Sequence, residues 1–124
     1  MAARVLVVDR SAATRDAIAA LLGEHASEVA WCARDAAMAQ LRAAHAAGHP
    51  FDVVMLDGEP APTTALVREL GAAGGGARVV VIASNAEGIA TAARCGASDV
   101  VMRPLTAAEL AFRVGRAAPE REGN

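Results

Sequence analysis

A parallel α/β sandwich, with five strands in one sheet and helices on both faces, is the fold class that this sequence of 124 residues predicts. Three observations lead there. Short apolar runs of strand length alternate five times with stretches whose apolar residues recur at helical spacing. Two of those runs, Val5-Leu6-Val7-Val8 and Val53-Val54-Met55-Leu56, are apolar without a break, as strands covered on both faces are, and each ends in a carboxylate, Asp9 and Asp57. The chain is also 54% hydrophobic but only 2% aromatic, so its core must be built from Ala, Val, Leu, Ile and Met, whose compact side chains suit helices laid on a sheet.

Taken in order, Val5 to Val8 is the first strand. Ser11 is a good helix N-cap, and the stretch SAATRDAIAALLGEH behind it sets Ile18, Leu21 and Leu22 on one face of a first helix. Ser27 to Ala33 is short and bounded by polar residues, which fits a second strand; it holds Trp31, either a packing residue or an exposed interface anchor. Arg34 to Ala47 follows with Ala37, Met38, Leu41 and Ala44 at helical spacing, and Gly48-His49-Pro50 stops it. The third strand runs into Asp57, Gly58, Glu59 and Pro60, and the spacing predicts a short helix from about Thr63 to Leu70. The glycine-rich Gly71 to Ala77 follows a helix and opens a strand, the reverse of a phosphate cradle, and so reads as a connector. A fourth strand, Val79 to Ala83, closes on Ser84-Asn85, and a helix covers Glu87 to Arg94 and ends at Gly96. Asp99 to Met102 is the fifth strand, Arg103-Pro104 follows it, and a fifth helix spans Ala107 to Ala118.

The length fits a single domain, residues 1–118, with a polar tail at 119–124. A net charge of -2 argues against a nucleic-acid-binding surface. The two cysteines, Cys32 and Cys95, show no C-x-x-C pairing and no histidine at ligand spacing, so they read as buried thiols in a reducing compartment. The amino-terminal apolar run is cut short by Asp9 and Arg10, unlike a signal peptide, and no run approaches the ~20 apolar residues of a membrane span. A cytoplasmic location is expected.

Right-handed crossovers and short loops leave few arrangements of such a sheet, among them the flavodoxin-like strand order 2-1-3-4-5. In that order strands one and three are neighbours beside the switch point, so Asp9 and Asp57 converge at the carboxyl edge where ligands of parallel sheets gather.

Several segments together carry a resemblance to a known family: VLVVD ahead of a Ser-capped helix, DVVMLD followed closely by Pro60, a strand ending IAS, the run GASDVVMRP, and the helix TAAELAFRVGR. From Arg4 to about Arg116 the chain resembles the receiver domains of bacterial two-component response regulators. The resemblance implies a signalling module rather than an enzyme, with Asp57 as phospho-acceptor from a histidine kinase. It implies Mg²⁺ held by that aspartate and a pair of acids after the first strand, a hydroxyl after the fourth strand, and a lysine before a proline that grips the phosphate.

Against that pattern Asp57 and Asp9 are in place, but the second acid of the pair is Arg10. An arginine there removes a hard oxygen ligand and adds positive charge, so Mg²⁺ is expected to bind weakly if at all. Arg10 either occupies the metal position and pairs with Asp57 or turns out into solvent. Glu59 is near enough in sequence to offer a replacement oxygen, making Asp9, Asp57 and Glu59 the candidate metal set. Arg103 stands at the lysine position, and either Ala83 or Ser84 at the hydroxyl position; Ser84 is the candidate. The loop after Asp57 is about two residues short for the family, which suggests a truncated third helix. Val100 stands where a switch aromatic is expected.

On the fifth helix Ala107, Leu110, Ala111 and Val114 share one face, leaving Phe112 on the other. Phe112, Arg113, Glu109 and Val100 are the candidate contact residues, matching positions that line a dimer face of the fourth helix, fifth strand and fifth helix in the family. The expected function is that of a degenerate receiver acting through protein contact, with a kinase, an output domain or a second copy as partner. The alternative is a working phospho-acceptor. A flavin or small-molecule enzyme on the same sheet has no His, Ser-His pair or phosphate loop converging on the strand ends.

Overall fold

The structure is a computed structural model, and it describes residues 2–117. Its elements are β1 (Ala3–Val8), α1 (Ala12–Leu22), a short 3₁₀ turn at Gly23–His25, β2 (Ala26–Cys32), α2 (Arg34–Ala46), β3 (Val53–Asp57), α3 (Thr64–Ala73), β4 (Arg78–Ala83), α4 (Ala86–Arg94), β5 (Asp99–Met102) and α5 (Ala107–Ala117). The five strands form one parallel sheet in the order β2-β1-β3-β4-β5, which is the flavodoxin-like arrangement. Neither the expected tail at 119–124 nor Ala118, the expected end of the last helix, falls within the described residues.

The unbroken apolar runs are explained by the two faces they must satisfy. In β1, Val5 and Val7 pack with Ile18 and Leu22 of α1 and Leu110 and Val114 of α5. Their neighbours Leu6 and Val8 point the opposite way, as alternation along a strand requires, into a second core with Leu41 of α2 and Val67 and Leu70 of α3. β3 divides in the same manner, Val53 and Met55 to one side, Val54 and Leu56 to the other. All five of its residues are buried.

Polar side chains mark the helix starts. Ser11 accepts from the Ala13 N–H, Thr63 from Leu66 and Asn85 from Gly88, each satisfying a donor that the first turn leaves open. Helix α3 runs three residues further than the sequence suggested, because Ala72 and Ala73 favour helix and the break comes only at Gly75 and Gly76, both at positive φ. Ala107 is exposed rather than part of the buried stripe of α5, which narrows to Leu110 and Val114 with Ala111 at its margin.

Both cysteines are free and buried, and the Cys95 thiol donates to the Pro62 carbonyl at 2.9 Å. Among the described residues no helix is long and apolar enough to cross a membrane.

Candidate functional site

The pairing of β1 with β3 sets Val8 opposite Leu56, so the residues that follow, Asp9 and Asp57, leave the sheet side by side at its carboxyl edge. Both are buried, at 7% and 8% exposure. Each accepts a local backbone bond across the turn that follows: Asp9 Oδ1 from the Ser11 N–H and Asp57 Oδ1 from the Glu59 N–H, both at 3.3 Å. The loop beyond β3 is fixed as well. Gly58 donates to the Ile82 carbonyl at 2.9 Å, and a Cβ at that glycine would lie 2.7 Å from the same oxygen.

The cation facing these acids is Arg103. One of its nitrogens, Nη2, lies 3.7 Å from Asp9 Oδ2 and 3.8 Å from Asp57 Oδ1. Its backbone is held at the end of β5, where the Arg103 N–H donates to the Ala83 carbonyl at 2.8 Å. Burial raises the Asp57 carboxyl above its ordinary pKa, and the neighbouring Asp9 carboxylate adds to that. The Glu59 N–H, Arg103 and Arg34 pull the other way without cancelling it.

Several expected members of the site are elsewhere. Arg10 is exposed and makes no ion pair with Asp9 or Asp57 among the described residues, so of the two placements left open for it the structure has the outward one and not the pairing with Asp57 in a metal position. Glu59 contributes its backbone N–H, but its side chain is exposed. No group of three or more His, Cys, Asp or Glu side chains able to hold a metal forms among the described residues, so Asp9, Asp57 and Glu59 are not assembled as a ligand set. Ser84 lies one residue beyond the strand, exposed, and no hydrogen bond joins it to Asp57 among the described residues; Ala83 is the buried last residue of β4.

Two residues at the site were not singled out from sequence for these roles. Arg34, in the first turn of α2, sends Nη2 to the Asp57 carbonyl at 2.9 Å and also to the Pro60 carbonyl, strapping the loop that follows Asp57. Its position after the second strand is the only sequence signal. Trp31, 40% exposed, donates its indole N–H to the Asp9 carbonyl at 3.0 Å, so it is tied to the acid edge.

On the face formed by α4, β5 and α5, Ile89 and Val100 line a groove of about 160 Å³. Phe112 is 59% exposed with the Arg113 guanidinium 5.4 Å from its ring centre. Arg113 pairs with Asp99 at 3.2 Å and reaches Glu109 at 4.0 Å.

A Mg²⁺ ion, which the family resemblance implies, asks for about six oxygens in near-octahedral geometry. Here two carboxylates share one guanidinium within 4 Å, with an exposed arginine next along the chain. That set of groups does not fit the ion.

Comparison with protein-family models found no match, and comparison with curated proteins found none. Solved structures do match. NtrX from Brucella abortus, crystallised with ADP, is 30% identical with a TM-score of 0.74 over 94% of this chain and 26% of that one. The chain thus spans about a quarter of the length of NtrX. A response regulator from Thermotoga maritima is 24% identical, with a TM-score of 0.73 over 94% of this chain and 98% of its own. The CheY-like protein TadZ from Pseudomonas aeruginosa PAO1 is 20% identical, also at 0.73, over 94% of this chain and 99% of its own. The fold is that of CheY-like receiver domains, the response-regulator receiver fold of two-component systems.

Proposed function

We propose that this chain is a receiver-like signalling module, not an enzyme, that acts in the cytoplasm through protein contact and in which Mg²⁺-dependent phosphorylation of Asp57 is impaired. One observation carries the reading: among the described residues only two carboxylates, Asp9 and Asp57, meet at the strand edge, because Arg10 replaces the next acid and the Glu59 side chain is exposed. Phosphoryl transfer depends on cations placed to neutralise charge on the transferring oxygens, and a pocket poor in hard oxygen ligands supplies no firm seat for a divalent one.

The contact surface in this reading is the face of α4, β5 and α5, where Phe112 and Ile89 are exposed and Val100, Glu109 and Arg113 adjoin them. A kinase, an output domain or a second copy of the chain is its partner. The test for a second copy is sedimentation across a concentration series, with Phe112→Ser expected to shift any self-association toward monomer.

A second reading, Asp57 as a working phospho-acceptor, is favoured by Arg103 lying beside it. Incubation with phosphoramidate and Mg²⁺, read by intact mass, separates the two. No phosphoryl adduct is expected. A stoichiometric adduct that disappears in Asp57→Asn would replace the first reading by the second.

A further inference from the structure

The cation facing the two acids is supplied by the chain, and from this, resting on the reading of an impaired receiver, we propose that Arg103 is the resident counter-ion of the Asp9–Asp57 pocket and excludes divalent metal from it. A single nitrogen, Nη2, faces both carboxylates at 3.7 and 3.8 Å. An ion ligated by both carboxylates would therefore lie close against this nitrogen. Both separations are longer than a hydrogen bond, so the attraction is Coulombic and depends on charge rather than on an exact donor geometry.

Tethering makes this competitor effective. The Arg103 backbone is pinned to β4 through the Ala83 carbonyl at 2.8 Å, so its guanidinium is always within reach of the pocket, whereas an ion must come from solution. The side chain is 37% exposed, so it is free to be displaced, and exclusion is a competition rather than a blockade. A divalent ion that shared the pocket would face like charge at short range between two buried carboxylates. One that expelled Arg103 would find, among the described residues, two carboxylates alone, with Arg10 adding positive charge at the same strand end.

Mn²⁺ is the probe, its free concentration counted by electron paramagnetic resonance on the full chain. Fluorescence of Trp31, the sole tryptophan and bonded to the Asp9 carbonyl, gives a second readout. The wild type is expected to show no saturable binding through the low millimolar range, and Arg103→Lys, which keeps the charge, to behave alike. Arg103→Gln is expected to bind measurably more tightly than the wild type, though weakly because its ligand set stays sparse, and Arg10→Asp/Arg103→Gln at least about tenfold more tightly than Arg10→Asp alone, the difference being the charge removed. Arg103→Met replaces Arg103→Gln if the latter fails to melt cooperatively. If folded Arg103→Gln and the double variant bind no better than their counterparts with Arg103 intact, or if Arg103→Lys binds as Arg103→Gln does, the proposal is overturned while the impaired-receiver reading stands. Saturable millimolar binding by the wild type overturns both.

Discussion

Asp57 is held in its protonated form more readily than an ordinary aspartate because it is buried and shares its edge with Asp9. A carboxyl whose pKa is raised by folding takes up protons in the native state that the unfolded chain has already released, so stability falls as pH rises from the ordinary carboxylate range through the folded value. Asp57→Asn removes that loss. Thermal melts should show the variant more stable than wild type by a few degrees at neutral pH, with the gain shrinking as pH drops below the ordinary carboxylate range. A variant equally stable at both ends would mean that the two acids do not strain the fold. Arg34 acts on the same residue from outside, since it lowers the Asp57 pKa and bonds its carbonyl. Arg34→Ala should cost about 1–2 kcal/mol, as loss of a partly exposed charged donor does. Faster amide exchange confined to residues 58–63 would mark the freed strap; no local change would refute it. Arg103 was expected at this edge from the family resemblance, whereas Arg34 was not legible in the chain, because long side chains reach across the strand ends in directions that spacing does not encode. The chain has no lysine at all, its twelve basic residues being arginines, so an arginine at position 103 follows a chain-wide usage as well as the local chemistry.

At the scale of elements, the turn after β3 is where sequence and structure agree most closely. The run Val53 to Leu56 ended in an acid and then a glycine, and the fold requires that glycine: Gly58 passes so near β4 that a Cβ would meet the Ile82 carbonyl. Gly58→Ala is expected to destabilise by about 1–3 kcal/mol, the usual cost of forcing atoms into a filled space, as measured by urea unfolding. A neutral result would show that the turn can shift. Helix α3 taught the opposite lesson. Its glycine-rich end reads as loop from composition, yet the helix continues to Ala73, because backbone bonds and packing of Leu70 against the second core outweigh the weak propensity of Gly71. Arg10 is a further case. Asp9 turns into the pocket and its neighbour Arg10 outward, and which of two adjacent side chains leaving a strand faces inward is set by the sheet rather than by residue type.

Across the whole molecule, one sheet divides the interior into two cores that share the same strands, so neither can be lost alone. Leu110→Ala empties part of the α1–α5 side and Leu56→Ala part of the α2–α3 side; both residues are fully buried. Each should cost about 2–5 kcal/mol, and circular dichroism and Trp31 fluorescence should report one coincident transition in both variants. Separate transitions would mean that the two sides fold independently.

Apolar periodicity, caps and run lengths by themselves determined the element order and the parallel sheet, because those follow from how backbone repeat and hydrophobic burial constrain a chain this short, and the meeting of Asp9 with Asp57 followed for one of the few strand orders they left open, the one the structure has. The resemblance brought Arg103 to that edge, and only the tertiary structure decided that Arg34 joins it while Arg10 and the Glu59 side chain do not. That choice depends on side-chain direction and reach at the ends of β1, β3 and β5, where Arg103 and Arg34 arrive from remote parts of the chain while Arg10 and the Glu59 side chain turn away.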